Sequence, residues 1–414
     1  MWSRPLRRLA DGLWAILKIA TIGGVIYLGS CTSVRTIFKQ APLSLPADFS
    51  PLTYTPLPPE RALPLLEKTY YGRVPRSSTV EILSRDMLDE NALNGKARLM
   101  QWRLRVSYNG VGRELDMVGI FPLDHPDAPL ILSQNFCPNN AVVPLEGVRA
   151  PDANMFCSDS GLFATVMTYI FGRYIVTPPL EEIMDRGYGF AAIYPSQFIP
   201  DSRQGGLNAL ETLFGDDPDR PGALSVWASL FNDMANVIEA DIGQREVYAY
   251  GHSRFGKTAL MAAAWFENID GAIAHQSGTL GASSLTDGTG ESVADIARSY
   301  PHWGHRELSR FSRRPEALPV RPADLLNAIR PKPVLLGNAR RDVWSDPFGA
   351  FTEAKLAFGA DMSAHQPEQF KPDDRYAYWL RPGTHGVVEE DWPTFLDFLD
   401  AHTQGSGKPA RQAR

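Results

Sequence analysis

A chain of 414 residues is long for one domain, but a single α/β domain with insertions absorbs most of it. With 41 Lys+Arg against 47 Asp+Glu, the formal net charge of −6 supplies no global positive field, which argues against a nucleic-acid partner. The first residues carry Arg4, Arg7, Arg8 and Lys18 ahead of an uncharged apolar run ending in Leu28-Gly29-Ser30-Cys31. That order resembles a secretory signal, so residues 1–31 are expected to be an export segment. Its last four residues are similar to a bacterial lipoprotein cleavage box, which would put a lipid anchor on Cys31. An uncleaved transmembrane anchor over about residues 9–30 is the alternative, and Lys18 interrupts it. Any membrane contact is expected through this segment only, with the protein exported to the periplasm or cell envelope.

Residues 32–62 are proline-dense and read as an extended linker. The catalytic domain is expected over 63–404, with residues 405–414 a disordered tail. In an oxidising compartment Cys137 and Cys157 are the two cysteines left over once Cys31 is set aside, and such a pair is expected to form a disulfide.

Within the domain, residues 63–71 suit a short helix, and 80–83, 100–108, 115–121 and 130–132 read as successive strands. Helix and strand then alternate: helix 179–186, strand 190–194, helix 224–240, strand 247–250, helix 257–266, strand 272–275. Strands 333–337 and 378–380 and a closing helix 391–402 follow. The order predicts an α/β class chain of α/β-hydrolase fold: a three-layer sandwich about a mostly parallel sheet. Residues 278–331 are far too long for an ordinary βα connection, so they are expected to form a lid-like insertion between the nucleophile and the acid. Residues 144–171 form a second irregular stretch.

Gly251-His252-Ser253-Arg254-Phe255-Gly256-Lys257-Thr258 admits two chemistries. Its letters satisfy G-x-x-x-x-G-K-[ST], a phosphate-binding loop, and would then make the chain a nucleotide-binding protein. They also place Ser253 on a strand-to-helix turn, where a hydrolase exposes its nucleophile. A phosphate loop needs a further strand ending in a magnesium-binding Asp, and the run after residue 333 reaches Asp342 only through a loop. An acid and then a histidine follow Ser253 in the chain order used by α/β-hydrolases, which favours the elbow. His385 hangs on the Pro/Gly loop after the last strand and is the expected base. Asp342 is the expected acid, because Asp346-Pro347 reads as a helix N-cap with proline at the first helical position. His302 and His305 fall in the insertion, His275 at a strand end, and His402 on the closing helix, where solvation is expected. The backbone N–H of Arg254 and the loop 134–137, with Phe136 in it, are placed to hold an oxyanion. No metal or cofactor is needed for this chemistry.

The elbow resembles the G-C-S-R-x-G-K motif of glucuronoyl esterases, carbohydrate esterase family fifteen, and their acetylxylan-esterase-like bacterial relatives. Tyr71-Gly72-Arg73-Val74-Pro75, Asn135-Phe136 with Asn139, Tyr300-Pro301-His302-Trp303, Asp342-Val343-Trp344-Ser345-Asp346-Pro347 and Arg381-Pro382-Gly383-Thr384-His385 are similar to family landmarks. The resemblance implies a serine esterase acting on a glucuronoyl or acetyl ester of xylan-type carbohydrate, with Ser253 as nucleophile, His385 as base and Arg254 as an oxyanion donor. It further implies sugar contacts from Lys257, Trp303 and Glu291. Read without it, Lys257 is a solvated first-turn residue, Trp303 a lid-core aromatic and Glu291 a solvated charge. A catalytically lapsed sugar-binding relative would share the same landmarks. Two departures stand out. His252 replaces the motif's cysteine, and Ala274-His275-Gln276-Ser277-Gly278 resembles a P-Q-E-S-G stretch whose glutamate is the triad acid in fungal members. Gln276 cannot carry that charge, so the acid must come from Asp342, and glucuronoyl specificity becomes an open matter.

Overall fold

The computed structural model describes residues 14, 16–24, 54–150, 157, 168–243, 245–285, 290–362 and 365–403. Nine strands form one sheet in the order β1-β2-β3-β5-β4-β6-β7-β8-β9. They are β1 Thr79–Asn91, β2 Ala97–Tyr108, β3 Val111–Pro122, β4 Leu130–Gln134, β5 Gly189–Ile193, β6 Val247–His252, β7 Gly271–His275, β8 Val334–Ala339 and β9 Tyr376–Arg381. The β1-β2-β3-β5 pairings are antiparallel, and β5-β4-β6-β7-β8-β9 are parallel throughout. This is the mostly parallel α/β sheet expected from the alternation of helix and strand.

Period-two alternation sends the strands' side chains to two separate cores. Leu130, Leu132, Ala249, Val334 and Leu336 face one, while Ile131, Tyr248, Tyr250 and Leu335 face the other. Burial on both faces explains why these strands read as continuous apolar runs. The flanking helices are α1 Pro59–Leu66, α2 Leu180–Asp185, α3 Arg203–Phe214, α4 Ala223–Ile242, α5 Arg254–Trp265, α6 Val293–Ser299, α7 Pro322–Ile329, α8 Pro347–Phe358 and α9 Asp391–His402. The first core takes α4, α5, α7 and α8, with Trp227 and Phe255 fully buried; the second takes α2 and α9 through Ile183, Trp392 and Phe395. Each such aromatic contributes about 1.5–3 kcal/mol of burial.

Several boundaries differ from the sequence expectation. The packed fold begins before residue 63: the Tyr54 hydroxyl and the Leu57 N–H both donate to Asp324 on α7, and α1 starts at Pro59. β1 runs over 13 residues instead of four, its exposed edge tolerating the charged residues that hid it. The last part of the 278–331 insertion is α7, which packs on α5 and α8 as part of the helical layer. His402 is half-buried, its ring bonded to the carbonyls of Pro372 and Asp374, so the expected solvated histidine is instead a tie between α9 and a loop. Residues 16–24 are helical and leave Ile16, Leu17, Ile19 and Ile22 exposed. No helix among the described residues is long and apolar enough to cross a membrane. Cys31, the rest of the expected signal segment and the tail 405–414 lie outside the described residues.

Candidate active site

Five parallel strands end on the same side of the sheet and deliver the candidate residues there. Phe136 follows β4, Ser253 follows β6, Gln276 follows β7, Asp342 follows β8 and His385 follows β9. Ligand sites of open α/β sheets form at this carboxyl edge.

Ser253 is the single residue between β6 and α5, at φ 57 and ψ −123. That backbone is costly for a residue with a Cβ, and the neighbours enforce it. The Ser253 N–H donates to the His275 carbonyl at 2.8 Å, and the Gly256 N–H to the Ser253 carbonyl at 2.9 Å. Gly251 makes the bend possible, because a Cβ there would lie 2.1 Å from the Phe255 carbonyl oxygen. A phosphate cradle needs a loop wide enough to wrap an anion. Here Gly251 and His252 end the strand, Ser253 alone makes the turn, and Arg254 to Thr258 are already helix, which removes the nucleotide-binding reading.

His385 lines the same cavity as Ser253, with its Nδ1 2.6 Å from Asp342 Oδ2. Asp342 is fully buried; burial alone would raise its pKa, but the neighbouring His385 and bonds from His385 and Ser345 hold it below the ordinary value. Asp346 does the structural work assigned to it from the sequence, accepting the Gly349 N–H at 3.0 Å at the start of α8. Ser253 and His385 line one cavity of about 360 Å³.

Its lining includes the apolar side chains of Phe136, Phe171, Ile175 and Val176 and the disulfide that joins Cys137 to Cys157. It also includes Arg254, Lys257, Glu291, Tyr300 and Trp303, of which Arg254, Lys257 and Tyr300 meet the Trp303 ring. Lys257 is buried and not solvated: its Nζ donates to the Ser277 carbonyl and sits 5.8 Å from the Trp303 ring. Burial pushes its ammonium down to about 8, with Glu291 opposing the shift. Trp303 stacks on Tyr300 with ring centroids 3.8 Å apart and also joins the main core, so it is both wall and core. Glu291 is half-buried at the cavity rim.

Residues 195–360 match the family model described as glucuronyl esterase, fungi. The chain is 27% identical over 363 residues to carbohydrate esterase MZ0003 from an unknown prokaryotic organism, covering 83% of this chain and 84% of that protein. Among solved structures it is similar to a promiscuous CE15 esterase from a marine bacterial metagenome, at 25% identity and TM-score 0.69, covering 83% of this chain and 91% of that one. A glucuronoyl esterase from Solibacter usitatus matches at the same identity and TM-score, covering 83% and 92%. The chain has the α/β-hydrolase fold and is similar to glucuronoyl esterases.

As such it is a carboxylic ester hydrolase of the carbohydrate-esterase kind. Two features of this glucuronoyl-esterase-like site escaped the sequence reading. Asp201, before α3, ties together two lining residues: it pairs with the Arg254 guanidinium and accepts from Trp303 Nε1 at 2.8 Å, with His302 Nε2 at 3.1 Å. His302 is thereby committed behind the wall, and His305 accepts the Glu307 N–H, so neither lines the cavity. Nothing local marks Asp201, because its partners are 53 to 102 positions away. The second is the bonding of Gln276 to the His385 loop, which spans more than 100 positions.

Proposed function

We propose that this chain is an exported serine esterase that hydrolyses a carbohydrate-linked ester through an acyl-enzyme, with Ser253 as nucleophile, His385 as base and Asp342 as acid. The observation that carries the reading is the 2.6 Å contact of His385 Nδ1 with buried Asp342, in a cavity that also presents Ser253. Asp342 fixes the Nδ1–H tautomer, which leaves Nε2 free to take the Ser253 hydroxyl proton. The serine oxygen attacks the ester carbonyl carbon. The resulting oxyanion is held by the Arg254 N–H at the start of α5, where the helix end favours negative charge, and by the Phe136 loop. The tetrahedral species collapses, the alcohol leaves with the proton from His385, and water repeats the sequence to release the acid and restore Ser253.

The size and mixed lining of the cavity favour a glucuronoyl ester over an acetyl ester. An acetyl group leaves most of about 360 Å³ unfilled, whereas a uronate ester of an apolar alcohol offers a sugar to Lys257, Glu291 and Trp303 and an alcohol to Phe136 and Phe171. In a panel of benzyl glucuronate, acetylated xylan and short p-nitrophenyl esters, benzyl glucuronate is expected to give the highest kcat/KM. Turnover confined to acetylated xylan would move the assignment to sugar deacetylation.

Lys257 gives this reading a pH signature. The ammonium is lost as pH rises through about 8, so the KM for benzyl glucuronate is expected to climb above that pH while p-nitrophenyl acetate kinetics stay flat. Lys257→Met should raise the glucuronate KM at pH 7 roughly 10-fold, with the pH step removed. Equal losses on both esters would instead make Lys257 a structural residue.

Export is supported by the basic and then apolar N-terminal segment and by the disulfide, which belongs to oxidising compartments. Recovery from the host cytoplasm with free thiols at Cys137 and Cys157 would contradict it.

A further inference from the structure

Gln276 occupies an unusual backbone position just beyond β7, at φ 51, and its side chain is buried. Its amide meets the chain on both sides of His385. Oε1 accepts the Gly386 N–H at 2.8 Å, and Nε2 donates to the Thr384 carbonyl at 3.2 Å. The Gly386 N–H requires an acceptor, which fixes the amide orientation and turns the NH₂ group toward Thr384. Oε1 also meets His252 Nε2 at 2.8 Å, so His252 must carry its proton on Nε2 to donate. Burial, with His385 and His275 alongside, holds the pKa of His252 well below its ordinary value and keeps it neutral. The Gln276 backbone takes part as well, because its carbonyl accepts from Ser345 Oγ, which lies 3.3 Å from His385 Nδ1. The two departures singled out in the sequence, His252 and Gln276, are thus bonded to each other.

We propose that Gln276, braced by His252, is a positioning residue that grips the His385 loop on both flanks, and that the grip requires an amide rather than a carboxylate. An ionised carboxylate could accept from Gly386 and His252 but would set an oxygen against the Thr384 carbonyl, where a donor is needed. The side chain reaches the peptides flanking His385, while the imidazole itself is bonded to Asp342. Gln276 also borders the cavity, but its amide is bonded to the peptides on both flanks of His385, so it acts through His385. The proposal rests on the reading of His385 as general base.

The ionisable groups packed around the grip are His252 at the end of β6, His275 on β7, Asp342 after β8, Arg381 and His385 on and after β9, and Asp391 on α9. All are retained in the two single Gln276 variants, so a change of pH profile there reports the new side chain.

The test uses the full chain with Gln276→Met, Gln276→Glu, Asp342→Asn, the Gln276→Glu/Asp342→Asn double variant and His385→Ala, assayed on p-nitrophenyl acetate from about pH 5 to 9. Both Gln276 variants are expected to lose kcat roughly 10²-fold with KM changed less than about threefold, the signature of a displaced catalytic group. In Gln276→Glu the new carboxylate lies one imidazole ring from His385 and favours its protonated form, so the acid limb of kcat/KM should move up by about one pH unit. In Gln276→Met that limb should stay in place. Wild-type kcat in both Gln276 variants would overturn the proposal. So would recovery of Asp342→Asn by Gln276→Glu, which would mean that position 276 reaches the imidazole directly. Retained activity in His385→Ala would instead overturn the base assignment on which the proposal stands, and the two failures are thereby separable.

Discussion

Asp342→Asn is expected to lower kcat on p-nitrophenyl acetate about 10⁴-fold, the scale on which a triad histidine held in the wrong tautomer loses activity in a serine protease. Asparagine keeps the shape of Asp342 but can present an NH₂ group to His385 Nδ1, and it cannot offset the imidazolium charge. Asp346→Asn, four residues on, is expected to leave both activity and stability close to wild type, because asparagine accepts the Gly349 N–H as well as aspartate does. Loss of activity at Asp346 alone would reverse the assignment of the acid. The same pair has a stability consequence whose sign follows from Asp342's lowered pKa. Its contribution to folding is present above the ordinary aspartate range of about 3.9 and is lost as pH falls below it. Asp342→Asn should therefore flatten the acid limb of the unfolding curve, measured as urea midpoint against pH.

Ser253→Gly is expected to abolish turnover, by about 10⁴-fold or more, and at the same time to stabilise the fold. The first effect follows from the missing hydroxyl. The second follows from φ 57 and ψ −123, a backbone state that glycine adopts freely and that costs other residues about 1–3 kcal/mol. Ser253→Ala keeps the strain and should be equally inactive with a wild-type urea midpoint. A raised midpoint for Ser253→Gly with an unchanged one for Ser253→Ala would isolate the strain held at the elbow. Equal midpoints in both would mean that the turn is relaxed.

The order of strands and helices was legible because most parallel strands of this sheet are buried on both faces and announce themselves as short apolar runs between turn residues. The elements missed had their signal removed by burial or by composition. Only the start of α8 was legible, at Asp346-Pro347, because its body is buried through Phe348, Phe351, Ala354 and Phe358 on several sides, which erases the helical period; α3 opens on Arg203-Gln204-Gly205-Gly206 without a side-chain cap. The proposed Ser253, Asp342 and His385 stand out in the sequence because each sits just past a recognisable strand. Lys257 could not be placed from its neighbours: first-turn lysines are ordinarily solvated, and the Trp303 ring and Ser277 carbonyl that enclose it come from other segments. Gln276 read as a missing acid because its own stretch shows only what the residue is. Its partners, Thr384 and Gly386, are brought to it by the β7-β8-β9 ladder. Residues whose role depends on such long-range pairing leave no local pattern.

The central claim is that Ser253 forms a covalent acyl-enzyme, and active-site labelling tests it most directly. Wild-type protein treated with a fluorophosphonate and analysed by peptide mass mapping is expected to carry one adduct, on Ser253, with activity lost in proportion to labelling and no adduct in Ser253→Ala. Full activity after exhaustive treatment, or inactivation with the adduct on a different residue, would contradict the account.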